Sequence, residues 1–218
     1  MADVLIIIAP QDFKDEEYFH VREELENAGH KVVVSSLQDV ASSVENKEVV
    51  TDVLIDEADV ADYDALVLVG GAGASVYFEN EKVLEMCYQT VEQGKLIAAI
   101  CIAPGILARA GVLAGKNATS FESELATLDE AGAITSDSHV VVDGQIVTAD
   151  GPQAAREFGK KIAELLKEDN EEEVVEETKE YYPSNGDDEK TDDGFDKNEP
   201  YYGDDKHHEK RVVEEDSN

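Results

Sequence analysis

Cys101 is the residue whose type and setting point most directly to chemistry. It closes the unbroken apolar run Leu96-Ile97-Ala98-Ala99-Ile100 and is followed at once by a helical stretch, Pro104 to Ala110. Small residues crowd the junction, as a sharp strand-to-helix turn requires. Such a turn, a nucleophile elbow, holds a reactive side chain above a sheet edge. There the amides and dipole of the following helix favour thiolate over thiol. A buried core cysteine in an ordinary βα unit fits the same residues. A cysteine nucleophile also needs amides to hold developing negative charge. The glycine-rich turn Gly70-Gly71-Ala72-Gly73-Ala74 offers one through Gly71, and the elbow offers that of Ile102. No Gly-Lys-Ser/Thr follows those glycines, so a phosphate loop is disfavoured.

The elements that must position these groups read as alternating strands and helices. Val4 to Ala9 is a continuous apolar run, as a central parallel strand requires. Pro10 to Phe13 forms a loop at its carboxyl end, and Lys14 to Ala28 a helix closed by Gly29. Lys31 to Ser35 is a second strand, and the β-branched stretch Val49 to Ile55 a third, at an edge. After the acidic connection Asp56 to Asp64 comes the buried strand Ala65 to Val69. The helix Asn80 to Gln93 carries Cys87 four residues after Val83, as core filler. Asp143-Gly144 marks a hairpin between His139–Val142 and Gln145–Thr148. An amphipathic helix, about Gln153 to Lys167, closes the pattern through Phe158, Ile162 and Leu165-Leu166. The order implies a three-layer α/β fold around a mostly parallel sheet, with ligands outside the carboxyl ends of the strands.

Charge divides the 218 residues in two. Residues 1–167 carry 30 Asp and Glu against 12 Lys and Arg, a net of −18, while residues 168–218 carry 21 against 6. The second segment is acidic low complexity with scattered tyrosines, read as a disordered tail. His207-His208 within it is read as part of a solvated tail rather than as a metal site. Such acidity argues against nucleic acid or an anionic membrane as partner. It also raises the expectation of a salt-rich cytoplasm, where self-repulsion is screened. With two cysteines, no basic and apolar leader and no run of membrane-spanning length, the chain reads as cytoplasmic and reducing.

Taken together, these stretches resemble the DJ-1/PfpI superfamily, whose fold is flavodoxin-like and related to class I glutamine amidotransferases. The matching residues are Phe13-Lys14-Asp15-Glu16-Glu17, Val69 to Ala74, Ala98-Ala99-Ile100-Cys101, Ala110 to Ser120 and Val140 to Gly144, in one order over about residues 3 to 167. The resemblance implies that Cys101 is the reactive residue. It also implies that Glu17, on the first helix, reaches the sulfur, with Glu16 as the register alternative. A carboxyl buried there would hold its proton more tightly than usual. Homodimers or larger homo-oligomers are implied as well, and no metal or organic cofactor.

One departure bears on function. PfpI-type proteases carry a histidine directly after the cysteine, and here that residue is Ile102. Where some relatives place another histidine, this chain has Phe121. His139 matches no catalytic position of the family and reads as structural, and His20 as a surface residue. Three readings follow from the resemblance. The first is a cysteine-dependent enzyme acting on small reactive carbonyls, of the glyoxalase or deglycase type, with Glu17 as proton shuttle. The second is a non-enzymatic oxidative-stress sensor or chaperone that works through a Cys101 sulfinate. The last is an intracellular protease, which the absent elbow histidine disfavours.

Overall fold

The computed structural model describes residues 1–167, so the disordered-tail reading of 168–218 lies outside the described residues. In chain order the strands are β1 (Asp3–Ile7), β2 (Gln11–Phe13), β3 (Lys31–Ser36), β4 (Val40–Ser43), β5 (Glu48–Val50) and β6 (Val53–Leu54), then β7 (Ala65–Leu68), β8 (Leu96–Ile100), β9 (Asn117–Ala118), β10 (Ile134–Thr135), β11 (Val140–Asp143) and β12 (Ile146–Ala149). The helices are α1 (Asp15–Asn27), α2 (Glu81–Glu92), α3 (Pro104–Arg109), α4 (Leu125–Glu130) and α5 over residues 155–167.

Seven strands form one sheet in the order β11-β12-β8-β7-β1-β3-β6. All neighbours in it run parallel except β11, which pairs antiparallel with β12. β7 and β8 are buried along their whole length. That is why they read as unbroken apolar runs: both faces of a parallel sheet are covered. The α/β architecture around a mostly parallel sheet is the one the alternating pattern implied, and its flavodoxin-like form is the one the family resemblance implied. Among the described residues, no helix is long and apolar enough to cross a membrane.

Three details depart from the sequence reading. Part of the expected loop Pro10–Phe13 is strand β2, which pairs with β4 in a small three-stranded sheet completed by β5. The stretch Val49–Ile55 is not one strand. Its first residues belong to β5 in the small sheet, and β6 lies at the edge of the large one. Between them the chain changes sheets, with the Thr51 amide donating to Asp39 and the Asp52 amide donating to Val34 at 2.8 Å. The hairpin forms as read, but its register pairs Asp143 with Ile146, so the two-residue turn is Gly144-Gln145.

The small sheet matters because it is tied to the start of α1. Asp15, almost fully buried, accepts hydrogen bonds from Ser43 Oγ at 2.8 Å and from the Glu45 amide at 3.2 Å. Lys47 Nζ lies 3.2 Å from the same carboxylate. Burial alone would raise the Asp15 pKa, but these donors outweigh it and hold it below the ordinary carboxylate value. Asp15, Glu16 and Glu17 fill the first turn of α1, where acidic side chains complement the helix dipole. Glu17, Val21 and Leu25 recur at helical spacing on the buried face. Of the two neighbouring glutamates, Glu17 is thus the one turned inward.

Replacing Asp15 with Ala strands the Ser43 hydroxyl and the Glu45 amide near the helix start. A loss of about 2 kcal/mol is expected, the usual cost of orphaning buried donors. Chemical denaturation measures it, and an unchanged midpoint would show that this tie holds nothing.

Candidate active site

The site forms along one row at the carboxyl edge of the large sheet. The register pairs Leu68 with Ala99, Ile100 with Ala149, and Ala149 with Val140. Beyond the strand ends, Gly70 lies against Cys101, and the Asp150 amide donates to the His139 carbonyl at 3.1 Å.

Cys101 sits in the turn between β8 and α3 with φ of +66°, a left-handed conformation that costs a residue with a side chain roughly 1–2 kcal/mol. Two backbone bonds hold it there. Its amide donates to Ala149 at 2.9 Å, and its carbonyl accepts from the Phe121 amide at 2.8 Å. The sharp turn inferred from the small residues around Cys101 is present. The side chain remains slightly exposed, at 8%, whereas Cys87 is fully buried in the core. Such strain persists only where the surrounding structure over-determines it.

Gly70 joins Cys101 to Glu17. Its amide donates to Glu17 Oε2 at 3.0 Å, and its carbonyl accepts from the Lys14 amide at 3.1 Å. A Cβ at Gly70 would stand 2.6 Å from Cys101 Cβ and 2.6 Å from Glu17 Oε2. No side chain fits there without driving the carboxyl and the sulfur apart. Gly71, with φ of +96°, abuts the turn into α1, where a Cβ would strike Asp12 O. Sequence reasoning singled out Gly71 but not Gly70. The signal for Gly70 was present in the doubled glycine, one for each of two close approaches.

Glu17 is fully buried, and its Oε1 has no hydrogen-bond donor from nitrogen or oxygen. Besides the Gly70 amide, the Cys101 thiol, Lys14 and Glu16 act on its carboxyl. Burial raises the Glu17 pKa to about 7, against the opposing pull of the thiol and the Gly70 amide. Cys101 is pushed up to about 12, first by burial and then by the charge on Glu17, although the amides of Gly71 and Ile102 reach the sulfur and pull the other way. The expectation that the elbow favours thiolate is thus corrected. The turn and its amides alone do not ionise the thiol while Glu17 is charged, and the helix behind it, α3, is only six residues long. Near neutrality it is therefore the Glu17 carboxyl that gains or loses a proton, while the Cys101 thiol keeps its own.

Glu16 is half-exposed and lies 3.1 Å from Lys14 Nζ, away from this pair. His20 is half-buried further along α1. His139, read as structural, is an exposed side chain whose Nδ1 lies 2.7 Å from Asp150 Oδ2. Both line a cleft of about 450 Å³ together with Ser120, Phe121, Ser136 and Pro152. Cys101 does not line that cleft, but Phe121 and Ala149, the residues bonded to its backbone, lie in or next to the cleft wall. Among the described residues, no three His, Cys, Asp or Glu are grouped to hold a metal ion.

Comparisons with known proteins show the family. The model of the DJ-1/PfpI family matches residues 2–165. An uncharacterized protein of Methanocaldococcus jannaschii is 39% identical over 173 residues, covering 78% of this chain and 84% of its own. The deglycase PfpI of Pyrococcus furiosus is 32% identical, over 75% of this chain and 99% of its own. The crystal structure of a ThiJ/PfpI domain protein from Brachyspira murdochii superposes with a TM-score of 0.74 at 29% identity, covering 76% of this chain and 96% of that one.

Removing the Glu17 charge should stabilise the fold. The folded pKa of about 7 lies above the ordinary 4.5, so the folded chain binds the extra proton between those values. Stability therefore rises as pH falls through that window, and the penalty is complete above it. Glu17→Gln should gain as much as about 3 kcal/mol at alkaline pH and progressively less in acid. Thermal melts across pH check this; a variant no more stable than wild type in alkali would contradict it.

Proposed function

The chain belongs to the DJ-1/PfpI family, and from that premise we propose that it acts on small reactive carbonyls through Cys101, with Glu17 as the proton shuttle. The observation that carries this reading is the buried Glu17–Cys101 pair. A carboxyl with a pKa raised to about 7 can give or take a proton at neutral pH. In the tautomer with Glu17 protonated and Cys101 ionised, the sulfur attacks an aldehyde carbon. A carbon–sulfur bond forms, and the carbonyl electrons move to oxygen. The amides of Gly71 and Ile102, which reach the sulfur, are placed to steady that oxygen. The Glu17 proton then completes a hemithioacetal, leaving Glu17 ionised. Relatives that are named deglycases, at about a third identity, support the substrate class.

The same pair favours a second reading. A protonated Glu17 is a hydrogen-bond donor to a sulfinate, the product of two-step oxidation of the thiolate, so Cys101 would serve as a stress sensor. The protease reading has least support, because Ile102 offers no base beside the sulfur.

The two leading readings separate in one experiment. Methylglyoxal turnover by wild type should vanish in Cys101→Ser. Turnover that persists in the variant overturns the assignment of Cys101. A clean gain of two oxygens in intact mass after mild peroxide, with no turnover, replaces the enzyme with the sensor.

A further inference from the structure

The elbow helix α3 is too short to hold the Cys101 turn unaided. It has six residues, and Ala103 at its start offers no side-chain cap. A helix of that length is unstable on its own, so its position must be fixed from outside. Besides Glu17, three segments bear on Cys101. They are α3 itself, the short turn Ala72–Tyr77 that follows Gly71, and the short turn Glu122–Glu124 that follows Phe121.

Arg109, the last residue of α3, touches all three. Its guanidinium carbon lies over the Phe78 ring, 3.8 Å from the centroid, and Phe78 closes the Ala72–Tyr77 turn. Its Nη1 donates to the Gly105 carbonyl at 2.8 Å and to Glu124 Oε2 at 3.0 Å. Glu124 is almost fully buried, so the ion pair is anchored on one side in the fold. A flat guanidinium can stack on a ring and donate from its edge at the same time, which a lysine ammonium cannot. Gly105 makes room for this arrangement. A Cβ there would stand 2.5 Å from Glu124 Oε2 and 2.8 Å from Arg109 Nη1.

Each of these contacts lies a short step from the sulfur. The Gly105 amide donates to the Ile102 carbonyl at 3.0 Å, and the amide of Ile102 reaches the sulfur. The Glu124 amide donates to the Phe121 carbonyl at 2.9 Å, and the Phe121 amide in turn holds the Cys101 carbonyl at 2.8 Å. Phe78 ends the segment that starts from Gly71, whose amide is the second one at the sulfur. One side chain therefore ties together the three pieces of backbone that fix where Cys101 and its amides stand.

We propose that Arg109, acting through Phe78, Gly105 and Glu124, is a positioning residue for Cys101, a clamp that keeps the strained turn closed and the Gly71 and Ile102 amides on the sulfur. It touches no reacting atom, and the inference rests on Cys101 being the nucleophile. Contacts of this kind near a surface contribute little to stability, so their consequence is geometric. Without the clamp, the left-handed Cys101 can relax and the two amides draw away. Those amides pull the Cys101 pKa down, while burial and the charge on Glu17 push it up. Withdrawing them leaves the upward push unopposed, and the thiol becomes harder to ionise.

The test follows iodoacetamide labelling of Cys101, located by peptide mass, from neutral to alkaline pH, with thermal melting alongside. In Arg109→Ala the labelling profile should move to higher pH, and the rate near neutrality should fall about tenfold, the effect of raising a thiol pKa by about one. Arg109→Lys, which keeps the charge but not the flat stack, should fall between wild type and Arg109→Ala. Gly105→Ala separates positioning from folding. Alanine favours the helix, yet its Cβ parts Arg109 from Glu124, so the profile should move the same way with no fall in melting temperature. A profile that stays in place in both Arg109→Ala and Gly105→Ala, even with a lowered melting temperature, makes Arg109 merely structural and overturns the proposal. Wild-type Cys101 that labels no faster than Cys87 at any pH overturns the nucleophile reading and the proposal with it.

Discussion

Glu17 and Cys101 share a buried slot in which two negative charges cannot coexist. Burial pushes both groups toward their neutral forms; the charge on Glu17 pushes Cys101 further, whereas the thiol pulls the Glu17 pKa partly back. What surrounds them offsets part of the cost of charging either group. The Gly70 amide binds one carboxyl oxygen, the amides of Gly71 and Ile102 reach the sulfur, and the missing side chain at Gly70 lets the two groups meet. The N-terminus of α1 is in turn fastened by Asp15 to the small sheet, so a change remote from the sulfur is felt at Glu17.

This arrangement is destabilising in itself. A left-handed cysteine, a buried acid and two glycines in tight contact each subtract from the fold. The offset comes from the large sheet, whose central strands β1, β7 and β8 are packed from both faces. The same sheet sets the spacing of the site, because its register brings Gly70 beside Cys101.

How much of this was legible follows from the physics of each signal. The run Leu96–Ile100 announces a strand buried on both faces, and small residues after Cys101 announce the turn, so fold class and cysteine were readable. Glu17 was not, on its own, because Asp15, Glu16 and Glu17 look alike along a helix. Its place four residues before Val21 was the available clue, and the family resemblance supplied the rest. β2 was hidden by polar Gln11-Asp12 and by the left-handed Asp12, with φ of 55°. The β-branched stretch across Thr51-Asp52 concealed a change of sheet. α4 is too short to show a helical period. The pairing of His139 with Asp150 depends on strand register, which hydrophobic pattern alone does not set at a strand end.

Burial makes Glu17 exchange its proton near neutrality, and its own carboxyl reports this most directly. Carbon-13 labelling of the glutamates, with Glu17 assigned by its loss in Glu17→Gln, allows the carboxyl resonance to be followed across pH. The expected result is a titration step centred near 7, the value that burial imposes. A single step near 4.5, as in an ordinary exposed glutamate, would contradict the account.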